Sequence, residues 1–261
     1  MCRRGSDWPV KVFDLGRTLL NPNRSQIMAV IARCLQHGTK IGFIMLLAMG
    51  SLAVTNAEDL PIVYRCDFEE GAADWAPTDQ TAWKIDHTLA ENAVYSQFKK
   101  RSAYNPPHRS PYNIALVKKL DLGTFQLDVK VLSTHKDYNH RDACLFFGYQ
   151  NPGQFYYVHL GKKADPHANQ IFIVNKSPRI KISSKTTSGT NWDSKWHHVR
   201  ITRNVITGKI AVFFDDMNKP AMQATDRSFL SGQIGLGSFD DTTAWNDLIV
   251  RGSLTKRSSV K

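Results

Sequence analysis

Several features are scarce in this chain of 261 residues. The apolar run Ile41 to Val54 stops at fourteen residues, short of the roughly 20 that a spanning helix needs, so a stable membrane anchor is not expected. Beyond residue 57 no stretch holds the period of a long helix, and no segment repeats. Ser-His-Asp constellations and zinc-ligand spacings are absent. The acidic pairs Glu69-Glu70, Asp215-Asp216 and Asp240-Asp241 have adjacent members, whose side chains would point opposite ways in a strand, so they read as turn residues. Cysteine is sparse, four in all. Acidic residues are outnumbered, 23 Asp and Glu against 34 Lys and Arg, a net charge of +11. No nucleic-acid motif accompanies that charge, so nucleic acid is not an expected partner.

The first part of the chain reads as a leader. Arg33, His37 and Lys40 precede the apolar run 41–54, and Thr55-Asn56-Ala57 offers the small residues of a cleavage site. Residues 1–57 are therefore expected to be a leader with a signal peptide cut after Ala57, Met28 being an alternative start. That places the protein in a secreted or periplasmic setting. Cys66 and Cys144 lie beyond the cut, as a bridged pair or as two buried free thiols. The remainder keeps a net charge of +6, which favours acidic partners.

What the chain does have is alternation. Phe125, Leu127, Val129 and Val131 are apolar against Gln126, Asp128 and Lys130. Val199 and Ile201 alternate with His198, Arg200 and Thr202; Ile210, Val212 and Phe214 share one side, as do Ile234 and Leu236. A period of two marks strands buried on one face. Asn151-Pro152-Gly153, Asn204 to Gly208 and Asp215 to Pro220 supply turns. Further strands are expected over Arg141 to Gln150, Gln154 to Lys163, Asn169 to Asn175 and Arg179 to Thr186. Prolines in Phe98 to Asn113 exclude a central strand there. That segment is either a solvated connection or a binding loop with rings and cations. Many short strands at close spacing indicate an all-β antiparallel sandwich. One domain fits in 58–252, with a polar tail over 253–261.

Trp196 to Pro220, reading WHHVRITRNVITGKIAVFFDDMNKP, followed by GQIGLGSFDDTTAWNDLIV at Gly232 to Val250, resembles the end of the concanavalin A-like lectin/glucanase superfamily. The likeness is to its laminin-G-like and keto-disaccharide-hydrolase-like branches. It extends loosely to YRCDFEEGAADWAPTDQTAWKID at Tyr64 to Asp86. The resemblance implies a jelly-roll β-sandwich with a concave groove sheet that handles carbohydrate, by binding or by cleavage, or that binds protein. It also implies a structural Ca²⁺ held by Glu69 or Glu70, with the Gly71 carbonyl, and by Asp247, whose hard oxygens suit that ion.

Strand parity then locates candidates in the groove. Tyr156, Val158 and Leu160 face the core, which leaves Tyr157 and His159 toward the groove; Ile171 and Ile173 leave Gln170 there, and Arg141 begins the neighbouring strand. This set suits β-elimination from a uronate polymer. Arg141 and Gln170 would bind the carboxylate, with His159 as base and Tyr157 as acid. It is similar to the sets of jelly-roll alginate lyases, whose R-x-E-x-R and Y-F-K-x-G-x-Y motifs are nevertheless missing. Lys162, His167 and Asn169 at the hairpin mouth, with Trp192 and Trp245, are expected to contact polysaccharide, while Trp83 and Trp196 are expected in the core. Three functions stay open: a carbohydrate-recognising protein for acidic polysaccharide, a polysaccharide lyase, and a laminin-G-like protein-binding module. A retaining glycosidase is not among them, because no E-x-D-x-E or E-x-D-x-x-E strand occurs.

Overall fold

The computed structural model of the chain describes residues 2–4 and 60–255. The expected leader lies outside the described residues except for residues 2–4. Alternation of apolar and polar side chains produces sixteen strands among the described residues. In chain order these are β1 (Arg3–Arg4), β2 (Ile62–Cys66), β3 (Trp75–Pro77), β4 (Trp83–Asp86), β5 (Val94–Gln97) and β6 (Asn113–Ser133). Then come β7 (Asp142–Asn151), β8 (Gln154–Gly161), β9 (Gln170–Asn175), β10 (Ile180–Lys181) and β11 (Ser183–Thr186). The last five are β12 (His197–Arg203), β13 (Lys209–Phe214), β14 (Met222–Thr225), β15 (Gly232–Ser238) and β16 (Thr243–Leu254). The one helical piece among them is a 3₁₀ turn, Gln80–Ala82, capped by the Asp79 side chain.

All pairings are antiparallel, and β6 divides them into two layers. Its first half, from Asn113 to Leu122, pairs with β15 and β3. Its second half pairs with β12 on one side and β16 on the other. The first layer therefore runs β10-β9-β8-β7-β15-β6, and the second runs β6-β12-β13-β14-β11 with β16, β2 and β5 beyond. The chain turns between them near Lys119, whose φ is +52°. Glycine allows β15 to press against β6: a Cβ on Gly237 would stand 1.8 Å from the Asn113 carbonyl oxygen.

Between the layers lies one large apolar core. Leu145, Phe147, Tyr156, Val158 and Ile171 meet Leu127, Val129, Val199, Ile201 and Val212, all fully or nearly fully buried. Each aliphatic or aromatic side chain contributes about 1.5–3 kcal/mol on leaving water. The jelly-roll sandwich is thus as expected.

Four details differ from the sequence reading. Cys66 is bonded to Cys2, and Cys144 is a buried free thiol. The expectation set Cys2 aside with the leader, yet β1 pairs with β2 through Arg3 and Arg4. Strand β16 continues to Leu254, opposite Leu122, so the domain runs past residue 252. Trp192 and Trp245 are core residues, 4% and 0% exposed. Trp245 sits in β16 and donates to Thr243 Oγ1, and Trp192 donates to the Leu160 carbonyl. Their indole N–H groups are satisfied inside the protein, which removes them from the candidate sugar contacts. Trp83 is buried as expected, whereas Trp196 is partly exposed.

Because Trp245 is the largest side chain filling the core at the β5–β16–β6 junction, Trp245→Ala should cost about 3–5 kcal/mol of unfolding free energy. Urea denaturation checks this; a cost near zero would contradict the core assignment.

Candidate functional site

Parity places Tyr157, His159 and Gln170 on the outer face of the first layer, as expected. That face is not an open groove. Cys144, Phe146, Phe155, Tyr157, Phe172 and Val174 form a second apolar cluster with Ile114, Leu116 and Phe239. The Phe98–Tyr112 connection lies over it. Tyr104 and Tyr112 pack on the cluster, Asn113 donates to the Lys100 carbonyl, and the Arg179 N–H donates to the Arg109 carbonyl. Arg179 spans the cover, its guanidinium 4.3 Å from the Phe239 ring centre and 5.0 Å from that of Phe172. The connection is thus neither wholly solvated nor an open rim.

The proposed elimination set does not converge on a common free space. The Tyr157 hydroxyl, fully buried, accepts from Arg179 Nη1 at 3.0 Å, and burial holds its pKa well above the usual range. Arg141 turns to Ser133, donating through Nε to Oγ at 2.8 Å and through Nη2 to the carbonyl. Gln170 Nε2 donates to the Asp165 carbonyl at 3.0 Å. Asn169 is fully buried at φ +52° and donates to Thr186 Oγ1 and the Thr187 carbonyl, a structural role. Lys162 pairs with Asp137, and His167 is exposed on the loop after β8.

His159 is 6% exposed. Its Nδ1 lies 2.9 Å from the His167 carbonyl and its Nε2 lies 3.2 Å from Asp142 Oδ2. Asp142, which sequence reasoning passed over, is fully buried. Its Oδ2 accepts the Phe239 N–H at 2.6 Å and faces the Cys144 thiol at 3.5 Å. The Asp142 N–H donates in turn to Asp241 Oδ2 at 2.9 Å, and the Tyr138 hydroxyl donates to the same carboxyl. Asp240-Asp241 does form a turn, between β15 and β16, but Asp241 is fully buried. Burial, followed by the nearby Asp142 charge, pushes the Asp241 carboxyl up to about 7. Asp240 is raised by the same two causes in the same order, and burial raises the Cys144 thiol. The sequence signal for this cluster was the spacing of Asp142 and Cys144 at i and i+2, on one face, with His159 opposite.

Of the carboxylates expected to hold calcium, Glu69 and Asp247 both have protein partners. Asp247 Oδ2 is ion-paired with Lys130 Nζ at 2.8 Å, and Glu69 Oε1 accepts the Ala93 N–H at 3.1 Å. Among the described residues the sets of three candidate ligands are Asp142, Cys144, His159 and Asp142, Asp240, Asp241, and neither contains Glu69 or Asp247.

The outer face of the second layer is polar and partly open. Asp128 Oδ1 accepts from Arg200 Nε at 2.7 Å and lies 2.8 Å from His198 Nε2. A cleft of about 430 Å³ beside it is lined by Trp196, Asn92, Lys130, His198, Asn246 and Asp247, among others.

No family model matches this chain, and no curated protein does. Solved structures share its fold. The carbohydrate binding module CBM66 from Bacillus subtilis superposes with a TM-score of 0.50 at 19% identity, over 69% of this chain and 96% of that one. The GH43 BlXynB protein from Bacillus licheniformis gives 0.50 at 13% identity, over 72% of this chain and 39% of that one. These likenesses show the fold alone, an antiparallel jelly-roll β-sandwich.

Folded Asp241 keeps a proton that the unfolded chain releases near its ordinary value of 3.8. Between about pH 4 and 7 the native state binds more protons, so this group lowers stability as pH rises. Asp79, Asp86, Asp137 and Asp226 act oppositely and titrate lower, so the readout is a difference between proteins. In chelator-containing buffer, Asp241→Asn should gain Tm relative to wild type by several degrees between pH 4 and 7. A constant difference would contradict the assignment.

Proposed function

We propose that this is an exported jelly-roll protein, secreted or periplasmic, that binds an anionic polysaccharide without cleaving it. The observation that carries the reading is a row of cations seated on rings at the mouth of the first layer. Arg101 lies 3.9 Å above the Tyr112 ring centre, Arg179 lies over Phe239 and Phe172, and Lys100 lies 5.9 Å above Tyr138. A guanidinium held by a ring keeps its in-plane donors for a carboxylate or sulfate and loses less entropy on binding one. Lys163, His140 and His167 are exposed nearby. The shared fold with a carbohydrate-binding module supports the choice of sugar.

Binding is favoured over elimination because Tyr157, Arg141 and Gln170 spend their polar atoms on protein partners. A laminin-G-like protein-binding module is the second reading, and the filled outer face favours it.

The test is affinity electrophoresis of the exported protein through gels containing alginate, pectate, chondroitin sulfate, dextran or laminarin. Retardation is expected with the anionic polymers alone and should fade with added salt. A Lys100→Ala, Arg101→Ala double variant should bind roughly 10-fold more weakly, the equivalent of about 1.4 kcal/mol. Equal retardation by dextran would overturn the anionic preference. Release of unsaturated uronate, read by ultraviolet absorbance, would establish elimination instead, and no retardation on any polymer would favour the protein-binding reading.

A further inference from the structure

The buried corner at the mouth of the first layer holds an unresolved meeting of acceptors. His159 Nδ1 faces the His167 carbonyl, which can only accept, so that nitrogen carries a hydrogen. In the neutral ring Nε2 then presents a lone pair, and Asp142 Oδ2, another lone-pair atom, stands 3.2 Å away without the alignment of a hydrogen bond. Neither His159 Nε2 nor Asp142 Oδ1 makes a hydrogen bond, although His159 is 6% and Asp142 0% exposed. Two orphaned polar atoms in one buried corner are costly unless something sits between them.

Strand geometry brings a third donor to the same point. Asp142 and Cys144 are two residues apart on β7 and so share a face; Cys144 lies directly opposite His159 on β8. One ligand atom from each of the three residues falls within 4.8 Å of the others. Asp240 reaches Asp142 within the same limit and is itself partly exposed, which opens a route from solvent. The surroundings are those of a ligand site: His159 directs its second ring nitrogen to a backbone carbonyl, and Asp142 is fixed by the Phe239 N–H.

We infer that Asp142, Cys144 and His159 bind one divalent transition-metal ion of the zinc class. Imidazole and thiolate beside carboxylate favour zinc or cobalt over calcium or magnesium, whose ligands are oxygens. Binding deprotonates Cys144 and releases that proton to solvent. The site differs from the calcium pair expected at Glu69 and Asp247 in its place, its donors and its metal. It also answers the apparent absence of a zinc spacing in the sequence, because His159 arrives from the next strand.

The test uses the full chain, stripped with chelator and titrated with cobalt(II) and then zinc(II). One equivalent of cobalt should bind, with a thiolate-to-cobalt charge-transfer band in the near ultraviolet, and zinc should displace it. Cys144→Ser, nearly isosteric, should lose the band and bind at least 10-fold more weakly; His159→Gln should do the same to affinity. Cys34→Ser and Asp128→Asn should leave both band and stoichiometry unchanged. Zinc should raise the Tm of wild type and of these two controls, and not of Cys144→Ser. Absence of stoichiometric uptake by folded wild-type protein would overturn the site. Uptake that survives Cys144→Ser and His159→Gln unchanged would overturn it equally, locating the metal elsewhere.

Discussion

The fold depends on one strand that belongs to two sheets. β6 runs for 21 residues, pairing with β15 along its first half and with β12 and β16 along its second. Its inward residues change partners at the Lys119–Gly123 bend, so one continuous backbone sets the spacing and angle of the layers. Without that continuity each sheet would present an apolar face with no fixed register to the other. A bend in the middle is also what gives the first layer two apolar faces to satisfy: the Asn113–Leu122 half places Ala115 and Val117 inward, and Ile114 and Leu116 outward.

The consequence is visible in β7, β8 and β9. Eight consecutive residues of β7, from Asp142 to Tyr149, are buried, and seven of the eight in β8. A sheet covered on one side shows alternation, whereas a sheet covered on both shows continuous apolar runs. The runs ACLFF, FYYV and IFIV carry that message at both parities. The cover is the Phe98–Tyr112 connection, a proline-rich segment that cannot join a ladder and so lies across the rings instead. Ser102 Oγ on the Tyr112 carbonyl and Asn113 Nδ2 on Ser238 fix its ends.

Much of this was legible in the sequence and some was not, for identifiable reasons. The second half of β6 and β12 were readable because polar residues interrupt them at every second position, and β13 and β15 because large apolar residues recur at every second position. Parity correctly put Tyr157, His159 and Gln170 together. What parity does not encode is whether a face meets solvent or a loop, and the expected open groove failed on that point. Trp245 was misplaced because the Asp240-Asp241 turn signal runs directly into β16, and Trp192 because its loop context hides the Leu160 carbonyl that receives its N–H. The Cys2–Cys66 link was missed because residue 2 was assigned to the leader. Asp142 went unnoticed beside Arg141, whose charge drew the carboxylate-binding role; in the sheet they point to opposite faces, one to Ser133 and the other to His159.

The polar groups that remain on the covered face are not scattered. Asp142 opens β7, His159 lies two residues from the end of β8, Gln170 opens β9, Phe239 follows β15 and Asp241 precedes β16. All lie at one end of the first layer, where the ladders run out and loop backbone becomes free to donate and accept. Mid-strand positions on that face are almost all apolar, because their backbone groups are spent on neighbouring strands; the buried Tyr157 hydroxyl is met by the Arg179 side chain. At the strand ends the constraint lifts: the Phe239 N–H reaches Asp142 and the His167 carbonyl reaches His159. Hydrogen-bond supply thus gathers the buried polar groups of this face at that end, and the ring-seated Lys100, with Tyr138 bonded to Asp241 beneath it, joins the same end to solvent.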